Sequence, residues 1–150
     1  MKVVFILGSE SDKKFVDGMD KEFASWGVDS KLFVASAHKV PEKVQAIVKK
    51  YNESTEDIVY ITVAGRSNGL SGVTAANSVH PVIACPAFKT KEDFMININS
   101  SLMMPSDTPV MTVVDRQNAI MAALRIFALK DMELKKKIAK RISKIKESFK

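Results

Sequence analysis

The sequence has little cysteine: Cys85 is the only one among 150 residues. A single cysteine excludes an internal disulfide and a zinc site built from several cysteines, and it suits a reducing compartment. Long hydrophobic runs are also missing, because the first apolar stretch, residues 3–7, is too short for a secretory signal or a membrane span. We therefore expect a cytoplasmic protein without membrane association, whose 46% hydrophobic content lets residues 1–150 fold as a single domain.

Several chemical signatures are absent as well. The segment Gly8–Asp12 lacks the Gly-Lys-Ser/Thr ending of a P-loop. The chain has two histidines, His38 and His80, and neither belongs to a metal-binding spacing or to a Ser-His-Asp order. Paired catalytic carboxylates are not apparent either. The sequence thus argues against metal-dependent and acyl-enzyme chemistry, and we expect no metal and no cofactor.

The positive charge is concentrated at the C-terminus. Residues 131–150 hold eight basic and three acidic residues, which accounts for +5 of the net charge of +6. Apolar residues recur there at spacings of three and four, which predicts a basic amphipathic helix docked by its apolar face. Apart from Phe149 near its end, this tail has no aromatic residues to interleave with the charges as single-strand stacking requires, so we expect no nucleic-acid partner. The apolar residues of this face are Leu134, Ile138, Ile142, Ile145 and Phe149.

Short apolar runs alternate with helical patterns, which predicts parallel βαβ units. We expect an α/β fold of three layers: a flavodoxin-like, doubly wound parallel sheet of about five strands in the order 2-1-3-4-5, with a C-terminal helix. The predicted strands are Val3–Leu7, Ser30–Ala35, Ile58–Val63, Val82–Cys85 and Val110–Val114. The predicted helices are Asp12–Trp26, ending at Gly27, then Pro41–Tyr51, Gly72–Val79, Lys91–Leu102, Gln117–Leu129 and the basic tail.

Polar segments follow the first three predicted strands. They are Gly8–Asp12, Ser36–Pro41 and Ala64–Gly72. In the expected strand order, strands 1, 2 and 3 are neighbours, so their carboxyl ends bring these segments to one crevice. The sequence therefore predicts a single site at this edge of the sheet.

Each segment has a plausible chemistry and a plainer alternative. Ser9 and Asp12 can hold an anion and sugar hydroxyls, although both residue types are also common helix caps. His38 titrates near neutrality and suits proton transfer, and Lys39 suits a phosphate, yet both could be ordinary turn residues. The third segment favours function, because its three glycines let a ligand approach the backbone and Arg66 offers a planar fork to a carboxylate or phosphate. His80 and Cys85, by contrast, are expected to be structural.

Together with Pro81–Pro86 and Ser100–Ser106, these segments closely resemble the PurE family of purine biosynthesis. The resemblance extends to about Asp131. The family has a class I branch of mutases, with a longer loop containing a second histidine, and a class II branch of carboxylases with Ala-Gly-Arg-Ser-Asn, as at Ala64–Asn68. The resemblance therefore implies a phosphoribosylaminoimidazole carboxylase of class II, which reversibly joins CO2 to 5-amino-1-(5-phosphoribosyl)imidazole (AIR) to give 4-carboxy-AIR (CAIR), without ATP, biotin or metal.

The resemblance also implies roles for individual residues. His38 would move the proton at C4 of the imidazole. The other residues implied in substrate binding are Gly8, Ser9 and Asp12 for the phosphoribosyl group, Ser36 and Lys39 for the phosphate and the pocket wall, and Gly65, Arg66 and Ser67 for the phosphate or the new carboxylate. Members of the family form homo-oligomers, so a tetramer or an octamer is expected, with contact surfaces at Met95–Met104 and the basic tail.

Two other functions remain open at this stage. The first is the class I activity, N5-carboxyaminoimidazole ribonucleotide mutase, which moves a carboxylate from nitrogen to C4 of the same heterocycle. The second is a non-catalytic, flavodoxin-like nucleotide-binding module. A phosphoacceptor version of that module would need clustered aspartates at the ends of strands 1 and 3, whereas strand 3 is followed by Ala64 and Gly65.

Overall fold

A single sheet of five parallel strands organises the protein, for which the computed structural model describes residues 1–149. The strands are β1 (Lys2–Leu7), β2 (Asp29–Val34), β3 (Ile58–Val63), β4 (Val82–Ala84) and β5 (Met111–Thr112). Their order in the sheet is β2-β1-β3-β4-β5, and every neighbouring pair is parallel. The predicted topology is confirmed, although the fifth strand is shorter than expected.

Helices cover both faces of the sheet and create two apolar cores. Side chains alternate along β1, so Phe5 faces one core and Ile6 the other. The first core also contains Phe23 and Leu124, and the second contains Tyr51. The helices are α1 (Lys13–Val16), α2 (Met19–Ser25), α3 (Pro41–Asn52), α4 (Gly69–Asn77), α5 (Lys91–Asn97), α6 (Asn99–Leu102), α7 (Arg116–Phe127) and α8 (Met132–Glu147).

The first predicted helix, Asp12–Trp26, is wrong as a single element. A 3-10 turn at Glu10–Asp12 leads into α1, and the chain breaks before α2 at Gly18, which has φ of +79°. This left-handed backbone cannot continue a right-handed helix and is easily adopted by glycine. Gly27, with φ of +80°, follows the end of α2 as expected. The predicted helix Lys91–Leu102 is likewise divided, into α5 and α6, at Ile98.

Helix α4 begins three residues before its predicted start at Gly72. Asn68 provides the N-cap, because its side-chain oxygen accepts a hydrogen bond from the backbone N–H of Ser71 at 3.3 Å. The glycine-rich loop is therefore shorter than it looked, and Gly69 already belongs to the helix.

The C-terminal helix α8 docks by the first half of its apolar face. Leu134 and Ile138 are buried in the first core, whereas Ile145 and Phe149 are 50% and 86% exposed. Lys150, which the predicted tail includes, lies outside the described residues. Within residues 1–149, no helix combines the length and apolar character that crossing a membrane requires.

Candidate active site

A cavity of about 750 Å³ opens at the carboxyl ends of β1, β2, β3 and β4. Because strands β2, β1 and β3 are neighbours, the three polar segments predicted from the sequence meet there. The predicted residues that line the cavity are Gly8, Ser9, Asp12, Ser36, His38, Gly65, Arg66 and Ser67. Lys39 is exposed and does not line it. The structure thus brings eight of the nine predicted residues together.

The turn after β1 is both a helix cap and a wall of the cavity. The Ser9 hydroxyl oxygen accepts a hydrogen bond from the Ser11 backbone N–H at 3.1 Å and lies 2.6 Å from the Ser11 hydroxyl. At Gly8, a Cβ atom would lie 3.1 Å from the Cβ of Ala64, so the turns after β1 and β3 approach each other closely. Capping and ligand binding are therefore compatible for these serines.

Asp12 is the carboxylate at this wall. Its partial burial raises the pKa of the carboxyl above the ordinary value of 3.8, against a smaller opposing effect of a hydrogen bond with the Ser9 backbone. The charged form is incompletely solvated at this wall. Hydroxyl donors of a ligand would restore the missing hydrogen bonds, as a ribose could.

The His38 imidazole stands directly against the start of α4. A Cβ atom built on Gly69 would lie 3.0 Å from His38 Nε2 and 3.3 Å from Cε1. Glycine at position 69 is therefore what lets the ring occupy this place. Within the described part of the chain the histidine ring that makes a hydrogen bond is that of His80, so both nitrogens of the His38 ring remain open to a ligand.

The turn that carries His38 directs Lys39 away from the cavity. The backbone N–H of Lys39 donates to the Ser36 hydroxyl oxygen at 3.3 Å, and Val40 N–H donates to the Ser36 carbonyl at 2.9 Å. This tight turn places Ser36 and His38 on the lining and Lys39 in solvent. A direct role of Lys39 in substrate binding stays a prediction without a contact to support it.

The loop after β3 is held close to the segment after β4. A Cβ atom at Gly65 would lie 2.6 Å from the carbonyl oxygen of Ala87, a clash that only glycine avoids. The next residue, Arg66, has φ of +52°, which is unusual for a residue with a side chain. Asn68, two residues further on, is 3% exposed and hydrogen-bonded to α6. Arg66 thus lies between Gly65, which packs against Ala87, and Asn68, which is hydrogen-bonded to α6.

The residues that form the fourth wall of the cavity were not predicted from the sequence. It comes from the segment after β4 and the start of α5, and its lining residues are Ala87, Lys89, Thr90 and Asp93. The same rule that located the first three segments could have found it, since β4 also ends at this edge.

The cavity lining carries two cations and two carboxylates. Arg66 and Lys89 both line it, and no ion pair between residues 1 and 149 involves either of them. The Asp93 carboxylate is already occupied, because it accepts hydrogen bonds from the backbone N–H of Lys89 at 3.3 Å and from Asn97 Nδ2 at 2.7 Å. Two cations are therefore free to meet a phosphate or carboxylate.

Two residues expected to be structural lie away from this chemistry. Burial raises the pKa of the Cys85 thiol to about 12, so it is not a thiolate near neutrality. The His80 Nε2 atom lies 2.9 Å from the Tyr51 carbonyl oxygen, next to the amino end of β4. No cluster of three or more histidine, cysteine, aspartate or glutamate side chains suited to a metal occurs in the described structure.

Comparison with known proteins gives consistent results. The family model described as AIR carboxylase matches residues 2–148. The chain is 45% identical over 138 residues to a phosphoribosylaminoimidazole carboxylase of Archaeoglobus fulgidus, covering 92% of this chain and 75% of that protein. It is 40% identical over 147 residues to an N5-carboxyaminoimidazole ribonucleotide mutase of Methanocaldococcus jannaschii, covering 97% and 90%. The crystal structure of Treponema denticola PurE superposes with a TM-score of 0.91 at 32% identity, covering 99% of this chain and 93% of that one.

Proposed function

Because this chain belongs to the AIR carboxylase (PurE) family, we propose that its cavity binds AIR and carboxylates it directly with CO2 to give CAIR, a step of purine biosynthesis. The observation that carries the proposal is the meeting of the His38 imidazole with two cations, Arg66 and Lys89, in one cavity of about 750 Å³. That volume lies in the range of small-molecule sites, roughly 300–1,000 Å³.

The choice of direct carboxylation over mutase activity rests on the Ala64–Asn68 loop. It carries the Ala-Gly-Arg-Ser-Asn sequence that resembles the carboxylase branch, and the carboxylase of A. fulgidus is similar over 92% of the chain. The relative named as a mutase is similar over an even larger share. Mutase activity is therefore the second candidate, and both reactions end in the same product.

The proposed reaction needs one carbon–carbon bond and one proton transfer. The amino group of AIR makes C4 of the ring nucleophilic, and C4 attacks the carbon of CO2 while one C=O electron pair moves to oxygen. The adduct then carries a proton at C4, which His38 removes, and the C4–H electron pair restores the aromatic ring. In the reverse direction the imidazolium returns that proton and CO2 leaves.

The cavity supplies the charges that this chemistry requires. Carboxylate is stabilised by water, so a dry pocket on its own favours the return to CO2. Donors aimed at the developing carboxylate offset this bias, and we assign this work to Arg66 and to the Gly65 and Ser67 backbone. Loss of one such donor typically lowers turnover by about 10²–10³.

The phosphoribosyl group is assigned to the other residues of the lining. Gly8 and Ser9 offer donors to the phosphate, and the Asp12 carboxylate accepts from ribose hydroxyls. Lys89 provides the cation that the sequence assigned to Lys39, because Lys89 lines the cavity and Lys39 does not. Ser36 completes the wall beside His38.

The decisive experiment is an activity assay of purified protein with AIR plus bicarbonate and, separately, with the N5-carboxy isomer. His38→Asn is expected to lower kcat by about 10²–10⁴, because it removes the proton acceptor. His80→Asn is the matched control and should keep wild-type activity, since His80 is hydrogen-bonded to Tyr51 outside the cavity.

Each outcome of these assays supports a different function. Turnover of AIR with bicarbonate supports the carboxylase, and turnover of the N5-carboxy isomer alone supports the mutase. Binding of AIR without turnover in either assay would support the remaining hypothesis, a non-catalytic nucleotide-binding module. Full activity of His38→Asn would remove His38 from the mechanism.

We also propose that the protein works as a homo-oligomer, either a tetramer or an octamer. Several large apolar side chains at α5 and α6 are exposed, among them Ile96 at 75% and Met103 at 78%, which is typical of an interface. Light scattering of the purified protein measures the assembly directly.

The lone cysteine and the phosphorylated substrate suit the cytoplasm, the location we propose.

A further inference from the structure

A pair of serines in α6 fastens the loop that carries Arg66. The Ser100 hydroxyl oxygen accepts a hydrogen bond from the Asn68 backbone N–H at 2.9 Å. The same hydroxyl lies 3.0 Å from the Arg66 carbonyl oxygen and 2.7 Å from the Asn97 carbonyl oxygen, so its hydrogen is shared between them. Ser101 accepts from Asn68 Nδ2 at 2.9 Å.

These contacts act on a strained part of the backbone. Arg66 has φ of +52°, in the left-handed region that side-chain-bearing residues avoid unless their surroundings hold them there. On one side Gly65 is fixed against Ala87, and on the other Asn68 is fixed by α6. Arg66 therefore lies between two residues that contact other segments of the chain.

The serines are separate from the substrate cavity. Neither Ser100 nor Ser101 belongs to its lining, and Ser101 is 1% exposed. They are 32 to 34 residues from their loop partners along the chain, so this is a tertiary link rather than a local turn. An effect of these hydroxyls on the reaction must therefore pass through the loop.

We propose that Ser100 and Ser101 are positioning residues for Arg66, which hold its backbone in the left-handed conformation and so aim its guanidinium into the cavity. The inference deepens the proposed function, on which it rests for the role of Arg66. It also gives the contact of Arg-Ser-Asn at 66–68 with Ser-Ser at 100–101 a role: Asn68 is buried, and its side-chain amide donates to Ser101 of α6.

A double-mutant cycle separates positioning from general stability. Ser100→Ala and Ser101→Ala are each combined with Arg66→Ala, and Ser106→Ala, at an exposed loop position, is the matched control. Loss of one positioning hydrogen bond is expected to lower kcat/KM by about tenfold, mainly through kcat. In the Arg66→Ala background the same serine substitution should have a clearly smaller effect, because the guanidinium that it positions is gone and only the backbone donors of the loop remain.

Binding of CAIR, measured by calorimetry for the same variants, makes the cycle independent of turnover. CAIR is the product of both candidate reactions, so failure of wild type to bind it would contradict the proposed function rather than the positioning role. If wild type binds and the serine substitutions weaken binding equally with and without Arg66, the positioning role is overturned. Wild-type kcat/KM and CAIR affinity in both serine variants would overturn it as well.

Discussion

Gly69→Ala is expected to damage activity while leaving stability almost unchanged. Gly69 is the first residue of α4 and does not have a positive φ, so alanine fits its backbone without strain. The new Cβ would however lie 3.0 Å from Nε2 and 3.3 Å from Cε1 of His38. The substitution therefore acts on the ring and not on the helix.

The magnitude follows from the contact distances. Non-bonded heavy atoms prefer about 3.5–4.0 Å, so the imidazole must retreat by roughly a few tenths of an ångström. The ring is exposed, and within residues 1–149 no hydrogen bond holds it, so this movement costs little. Replacing glycine by alanine in a compatible conformation contributes about 0.4–1 kcal/mol of stability. We expect the free energy of unfolding to change by less than about 1 kcal/mol.

Catalysis is far more sensitive to the same displacement. A misplacement of about 1 Å can lower the rate by about 10²-fold. A shift of a few tenths of an ångström is therefore expected to lower kcat by roughly fivefold, which corresponds to about 1 kcal/mol in the barrier. The measurements are kcat and KM for AIR carboxylation and denaturant unfolding of the same preparations. Gly72→Ala is the matched control in the same helix, because its Cβ would meet the flexible Met104 side chain at 3.2 Å outside the cavity.

Two results would refute this reasoning. If Gly69→Ala keeps wild-type kcat, then either the ring is not confined by Gly69 or His38 does not move the proton. If Gly69→Ala lowers kcat further in the His38→Asn background, its effect does not pass through the imidazole. Equal losses for Gly69→Ala and Gly72→Ala would point to α4 as a whole.

Two further predictions concern the charges of the cavity. Burial raises the folded-state pKa of Asp12 above the ordinary 3.8. The free energy of unfolding therefore falls as the pH rises from about 3.8 through the raised pKa, because the folded state holds this proton more tightly than the unfolded state. Asp12→Asn should therefore unfold at a higher temperature than wild type at pH 7, and this difference should vanish below about pH 3.8. The same variant should bind AIR more weakly. A lower unfolding temperature than wild type at pH 7 would contradict the prediction. Lys89→Gln should raise KM for AIR by about fivefold and leave the affinity for the unphosphorylated riboside unchanged. Lys91→Gln, at the next exposed lysine, is the control and should change neither value. Equal losses of affinity for the ribotide and the riboside would argue against a contact between Lys89 and the phosphate.

Much of the fold was predictable because its signals are local. The run Ile58–Val63 is buried at every position, as a central parallel strand requires, and its predicted bounds agree with β3. Pro41 begins α3, and Gly27 has the left-handed backbone expected after α2. The strand order then placed His38, Ser9 and the 64–67 loop at one edge.

The errors have a common physical cause. The start of α4 depends on the Asn68 cap, and the orientation of that residue depends on Ser100 and Ser101, more than 30 residues away. The break at Gly18 is one of several conformations that glycine adopts, and the sequence alone does not choose among them. Lys39 and Lys89 both follow strands, and only their turns decide which one faces the cavity.

The amino-acid sequence alone determined the layered α/β architecture, the edge of the sheet where the site lies and the residue types gathered there. It could do so because strand burial and side-chain chemistry are written in consecutive residues. The tertiary structure decided which lysine lines the cavity, where the His38 ring rests and how Arg66 is held in a left-handed backbone. Those features arise from contacts between distant segments, whose distances no local pattern encodes.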